Sequence, residues 1–136
     1  MRLISFISRY EPQAYAILRI VAGFLFLWHG SQKLFDFPHS SRAIMEMTPK
    51  ILIGGIVEFF GGLFIMTGFL TRFSAFLSCG TMAFAYWMSH GTNSLLPIVN
   101  RGELAMLYCF LFLFIWVRGA GIWSIDRLLN RGSQNK

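Results

Sequence analysis

Charge is scarce in this sequence. Of its 136 residues only 13% are Asp, Glu, Lys or Arg and 55% are hydrophobic; soluble globular chains run about 25% charged, so no ordinary soluble domain fits. Cysteine is scarcer still. Cys79 and Cys109 both lie inside apolar stretches with no CxxC spacing, which argues against a disulfide framework and a cysteine zinc site. Counted in depth from opposite faces, the two sulfurs look poorly matched for a disulfide and read as small apolar residues. No nucleotide-binding loop, CxxCH or carboxylate-rich metal spacing occurs, so neither haem nor metal is expected.

What is abundant is apolar sequence. Mean hydropathy is +0.56, spread over four blocks at about residues 14–35, 51–70, 73–88 and 102–117. Because a helix needs about 20 apolar residues to cross a hydrocarbon core of roughly 30 Å, four crossings consume most of the chain. The expected fold is a single all-α domain over residues 1–136, an integral membrane four-helix bundle with an interfacial, then polar tail at 118–136. Glu11-Pro12 marks the start of the first helix. Arg19 within that block and the absence of a small-residue cleavage site argue that it is retained. The connection 36–50 can hold a short amphipathic turn. Between the second and third blocks only a tight turn fits, so they form an antiparallel hairpin.

The net charge of +6 would suggest nucleic acid in a soluble protein, but here it reads as membrane orientation. Arg2, Arg9, Arg72, Arg118, Arg127, Arg131 and Lys136 fall on one side, Arg42, Lys50 and Arg101 on the other. The excess places both termini in the cytoplasm. Trp28, Trp87, Trp116 and Trp123 sit towards segment ends, where indoles favour the headgroup level. His29-Gly30 and His90-Gly91 close the first and third blocks alike, a hint of internal duplication.

Ionisable residues inside membrane helices cost at least about 2.5 kcal/mol each at mid-bilayer and are functional candidates by default. Here they are Arg19, His29, Lys33, Glu58 and Glu103. At about 1.5 Å per residue, His29 and Glu58 share one depth, and Lys33 and Glu103 share another nearer the outer surface. The four form an expected polar cluster in the outer half of the bundle. Arg19 stands apart and reads as a snorkelling residue. On the second helix Gly54, Gly55, Gly61 and Gly62 lie within about 60° of Glu58, and on the first Gly23 and Gly30 share a stripe with Lys33. Small residues beside a buried acid let helices approach closely, so these six are the expected packing glycines, with His29 or Lys33 neutralising Glu58. The plainer reading is an ion pair that only holds the bundle together. A bis-His haem on His29 and His90 is conceivable but is not the expectation.

LRIVAGFLFLWHGSQKLF, GGIVEFFGGLFIMTGFLTR and NRGELAMLYCFLFLF, in that order, resemble the DoxX family of small four-helix membrane proteins over nearly the whole chain. The resemblance implies a bacterial inner-membrane setting and marks Arg19, Gly30, Lys33, Glu58, Gly61, Gly62, Asn100 and Glu103 as positions that matter. It also implies a link to quinone-coupled oxidoreduction or to assemblies managing oxidative or thiol stress. The cofactor is unknown, with a quinone as the candidate. If the protein is catalytic it is part of a quinone-linked oxidoreductase rather than an enzyme alone. Its expected partners are membrane lipid, a redox protein and further copies of itself, not nucleic acid. A carrier or binding protein for a small solute or lipid-like ligand, or a ligand-free scaffold, are the competing readings.

Overall fold

The computed structural model describes residues 6–39, 47–92 and 94–133, and all regular structure among them is helical. Helix α1 is Glu11–Phe35, α2 is Pro49–Thr67 and α3 is Thr71–Tyr86, which runs on into a π-helical stretch, Trp87–Gly91. After a single turn at Pro97–Asn100 come α4, Glu103–Arg118, and a short α5, Ile125–Ser133. The amphipathic turn expected within 36–50 falls largely on residues 40–46, outside the described residues.

Local chemistry sets the boundaries. Pro12 lies in the first turn of α1, where its missing N–H costs nothing. Thr48 caps α2, its Oγ1 accepting from Ile51 N–H at 3.4 Å. At the other end the α2 helix stops at Thr67, three residues short of the expected Leu70. The cause is Gly68, which takes φ +70° as Phe69 N–H bonds to Phe64 O at 2.9 Å, a left-handed stop that glycine adopts without steric cost. The tight hairpin between α2 and α3 follows.

Helices α1 and α2 pack with their backbones in contact. A Cβ on Gly62 would lie 2.5 Å from Leu27 N, one on Gly23 would lie 2.6 Å from Gly62 O, and one on Gly30 would lie 2.7 Å from Gly55 O. The antiparallel pair thus interlocks Gly23 with Gly62 and Gly30 with Gly55, two turns apart. Gly61 admits the Ser78 hydroxyl of α3, its Cβ position lying 2.6 Å from that oxygen. Gly54 corrects the expectation: a Cβ there meets nothing within 4 Å, because it turns away from α1 towards open space. The two His-Gly motifs also differ. Gly30 lies under α2, whereas a Cβ on Gly91 would meet its own helix's Trp87 ring at 2.8 Å.

Helices α3 and α4 form the second close pair, and α3 also packs on α2. Between the pairs sits an aromatic and aliphatic core of Phe26, Ile65, Ala75, Tyr108, Phe112 and Ile115. Beside it lie buried polar groups, Arg19, Ser31, Glu58, Thr71, Ser74 and Ser78, while Phe73, Phe76, Phe84, Leu107 and Phe110 project outward. An apolar exterior around a partly polar interior suits a lipid solvent. Among the described residues two helices, α1 and α2, are long and apolar enough to cross a membrane.

Candidate functional site

The sequence leaves open which base meets Glu58. In the structure it is Lys33, whose Nζ lies 2.5 Å from Glu58 Oε1. Glu58 is carried into the α1–α2 contact by the glycines on its own face, which leave no side chain to hold the helices apart. The pair is asymmetric: the glutamate side chain is 3% exposed and the lysine 30%. Glu58 Oε2 is also buried, with no hydrogen-bond partner among the described residues.

Both members of the pair border a cavity of about 620 Å³ between α2 and α3. Its walls are mainly apolar, including Phe76, Leu77, Phe84 and Met88, with Lys50 as a second cation. Two glycines widen it. Gly54 and Gly80 both line the cavity, and a Cβ on either would enter open space. The arrangement therefore has a polar end that can donate through Lys33 and accept through Glu58, with an apolar body of the size that small-molecule sites have.

The other expected members of the cluster make contacts of their own. His29 is half-buried, its ring edge-on to Tyr108 with centroids 6.1 Å apart. Asn100 organises the α3–α4 connection: its Nδ2 donates to Ser94 O at 2.8 Å and Tyr86 Oη at 3.1 Å, while Oδ1 accepts from Gly102 N–H at 2.7 Å. His90 Nδ1 lies 2.9 Å from Asn100 O in the same knot. Glu103 is exposed in the first turn of α4, where a carboxylate suits the helix dipole.

Arg19 does not snorkel. It is fully buried, and its Nη1 donates to Ile65 O at 2.6 Å and Met66 O at 2.8 Å, its Nη2 to Trp123 O at 2.7 Å. One guanidinium thus satisfies carbonyls in the last turn of α2 and ties the C-terminal segment to them. Arg72 repeats the device on α4, with Nη1 2.7 Å from Trp116 O and 2.8 Å from Val117 O. Around them Arg118 pairs with Glu11 and stacks over Tyr15, whose hydroxyl donates to Gly119 O. The sequence marks Arg72 and Arg118 only as charges, and singles out Arg19 without showing these partners.

The cysteines also correct an expectation, since Cys79 Sγ and Cys109 Sγ are 3.7 Å apart. Their depths must be counted from the same end of the antiparallel pair, where Arg72 holds the start of α3 against the end of α4. Cys79 lies about eight residues from that end and Cys109 about nine, or about 12 and 14 Å.

The DoxX family matches residues 14–91, which span α1 through the π-helical stretch and contain both Lys33 and Glu58. The chain belongs to the DoxX family. It is similar to an uncharacterized protein of Haemophilus influenzae, 37% identical over 127 residues that cover 88% of this chain and 93% of that one. It is also similar to the inner membrane protein YqjF of Escherichia coli K12, 30% identical over 132 residues, 91% of this chain and 98% of YqjF. No solved structure matches. This DoxX-family membrane protein keeps its ion pair and cavity within the part that the family defines.

Proposed function

We propose that this protein is a four-crossing subunit of a redox assembly in the bacterial inner membrane, with both termini cytoplasmic, and that the α2–α3 cavity takes the head group of a quinone. The observation that carries the reading is the Lys33–Glu58 pair bordering a largely apolar cavity, with Glu58 Oε2 buried and without a partner among the described residues. A quinone carbonyl accepts from Lys33 Nζ, and a quinol hydroxyl donates to the Glu58 carboxylate, so one pair of side chains serves both oxidation states. Phe76, Phe84 and Met88 suit the ring and the start of its tail. Electrons come from or go to a partner protein. A second reading, a carrier for an acidic amphiphile, is favoured by Lys50, which gives the cavity two cations against one glutamate.

The four crossings rest on length as well as composition. Helix α1 has 25 residues and α2 has 19, and α3 gains the five π-helical residues after its 16. The 16 residues of α4 reach about 24 Å, a shortfall that bilayer thinning accommodates. Reporter fusions after Arg72 and after Lys136 should read cytoplasmic, and fusions within residues 36–50 external. An external C-terminus overturns the topology.

The ligand is tested with a photoreactive quinone analogue on the purified protein. Label should fall on α2 and α3, be competed by native quinone, and weaken about tenfold in Glu58→Gln, the loss of one charge-assisted hydrogen bond. Saturable binding of an acidic amphiphile with no quinone labelling moves the assignment to the carrier. Binding of neither leaves a scaffold.

A further inference from the structure

A second cavity, also of about 620 Å³, lies between the start of α3, the end of α4 and α5, at the other end of α2 from Lys50. Its charged lining is Arg72, Arg118, Arg127 and Asp126. Both Asp126 oxygens accept from backbone N–H groups, those of Leu70 and Thr71, and Glu11 pairs with Arg118. Three guanidiniums against two carboxylates leave one positive charge in excess. Arg72 and Arg118 are held in place, the first by the Trp116 and Val117 carbonyls, the second by Glu11 and the Tyr15 ring. Arg127 differs from both: it is exposed and makes no ion pair among the described residues.

The same cavity has apolar walls that stay exposed, since Phe73 and Leu129 line it and are 63% and 59% accessible. On α5, Ile125, Leu128 and Leu129 fall within about 100° of one another, and all three are exposed, so the apolar stripe of this helix lies outside the bundle. Glu11 opens α1 and Leu70 follows the end of α2. These are the two helices long and apolar enough to cross a membrane, which puts the cavity where head groups begin. A soluble anion would need only the arginines. Guanidiniums beside exposed apolar surface at that level match a phosphate joined to acyl chains, and the excess positive charge favours a head group without an ammonium of its own. We propose that this cavity binds the phosphate of an anionic phospholipid, with Arg127 closing on it beside Arg72 and Arg118 and the acyl chains running over Phe73 and Leu129. The site is independent of the quinone reading.

The experiment uses the full-length protein, purified and delipidated in a non-ionic detergent, with bound lipid counted by native mass spectrometry and Tm measured alongside. One equivalent of phosphatidylglycerol should bind saturably, at least tenfold tighter than phosphatidylcholine, and raise Tm. Inorganic phosphate and glycerol phosphate at the same concentrations should leave Tm unchanged. Arg127→Gln should weaken phosphatidylglycerol about tenfold, the loss of one charge-assisted hydrogen bond, and Arg127→Lys, which keeps the charge, should recover part of that loss. Because the Arg127 side chain is exposed, both variants should keep the native Tm before lipid is added. Lys50→Gln, which removes a cation from the α2–α3 cavity, should bind the lipid as the native protein does.

Equal affinity for the two phospholipids, or binding that never saturates, reduces the contact to ordinary solvation by lipid and overturns the proposal. Equal stabilisation by inorganic phosphate makes the cavity a site for a soluble anion and overturns the lipid. Undiminished binding in Arg127→Gln, or a loss in Lys50→Gln in its place, moves the lipid to another part of the molecule and overturns the site.

Discussion

Asp126 of α5 caps the start of α3 from more than fifty positions away: its carboxylate accepts from Thr71 N–H at 2.9 Å and from Leu70 N–H at 2.8 Å. Asp126 N–H in turn donates to Gly68 O at 2.9 Å, so the α2–α3 turn and the C-terminal segment hold one another. A side-chain acceptor at a helix start stabilises by about 1 kcal/mol, and here the carboxylate also meets the positive end of the α3 dipole. Asp126→Ala should cost about 1–2 kcal/mol, read as a lower Tm in detergent. Asp126→Asn, which keeps one acceptor, should recover about half. Equal losses in the two variants would mean that the cap contributes nothing and that another contact of Asp126 is at work.

Arg19 performs the matching task at the end of α2, and its value lies in the fork of its guanidinium rather than in its charge. Lysine at this position keeps the charge but cannot reach Ile65 O, Met66 O and Trp123 O together. Arg19→Lys should therefore destabilise the protein by about 2–3 kcal/mol, as expected for lost charge-assisted hydrogen bonds in a buried site. Because Trp123 is released with it, trypsin should cut at Arg127 much faster in the variant. A Lys variant with native Tm and native protease resistance would reduce Arg19 to a charge.

How much of this could be read from sequence differs by residue. The apolar blocks, the glycine face around Glu58 and the need of that glutamate for a base follow from composition and the helical period, because lipid makes an unpaired acid costly. Gly54 and Gly55 could not be told apart, since both lie on the Glu58 side of α2 and only the position of α1 decides which is covered. Arg19 and Asp126 bond to backbone groups, which carry no sequence signature. Counted from opposite ends the two cysteine depths differ, and they come level only when the paired ends of α3 and α4 are known.

The glycines give a paired prediction in which one substitution has opposite consequences. Gly30→Ala puts a methyl into the Phe59 and Gly55 backbone, where neither neighbour has a rotamer to yield, and overpacking of this kind costs about 1–3 kcal/mol. Gly54→Ala adds the same methyl to open space and should gain up to about 1 kcal/mol from helix propensity. Thermal unfolding of the two variants in one detergent measures the contrast. Equal behaviour would show that α1 and α2 are not in backbone contact.

The Lys33–Glu58 pair separates a binding site from a structural staple, because breaking a buried ion pair and replacing it whole have different costs. Lys33→Met leaves the glutamate in an apolar interface without its cation. Removing one partner of a buried pair costs about 3–5 kcal/mol, and the partial exposure of the lysine side chain puts the expected loss at the low end, about 3 kcal/mol. The double variant Lys33→Met, Glu58→Leu removes both charges and should recover most of that stability, since well-packed apolar residues often equal a buried pair. If the pair only holds helices together, the double variant should recover function along with folding. If Lys33 and Glu58 orient a head group, it should fold, stay in the membrane and bind no quinone analogue. Tm, membrane yield and complementation of a deletion strain under oxidative or thiol stress should be measured on the same three proteins. A folded double variant with full complementation and undiminished photolabelling would remove both residues from the site.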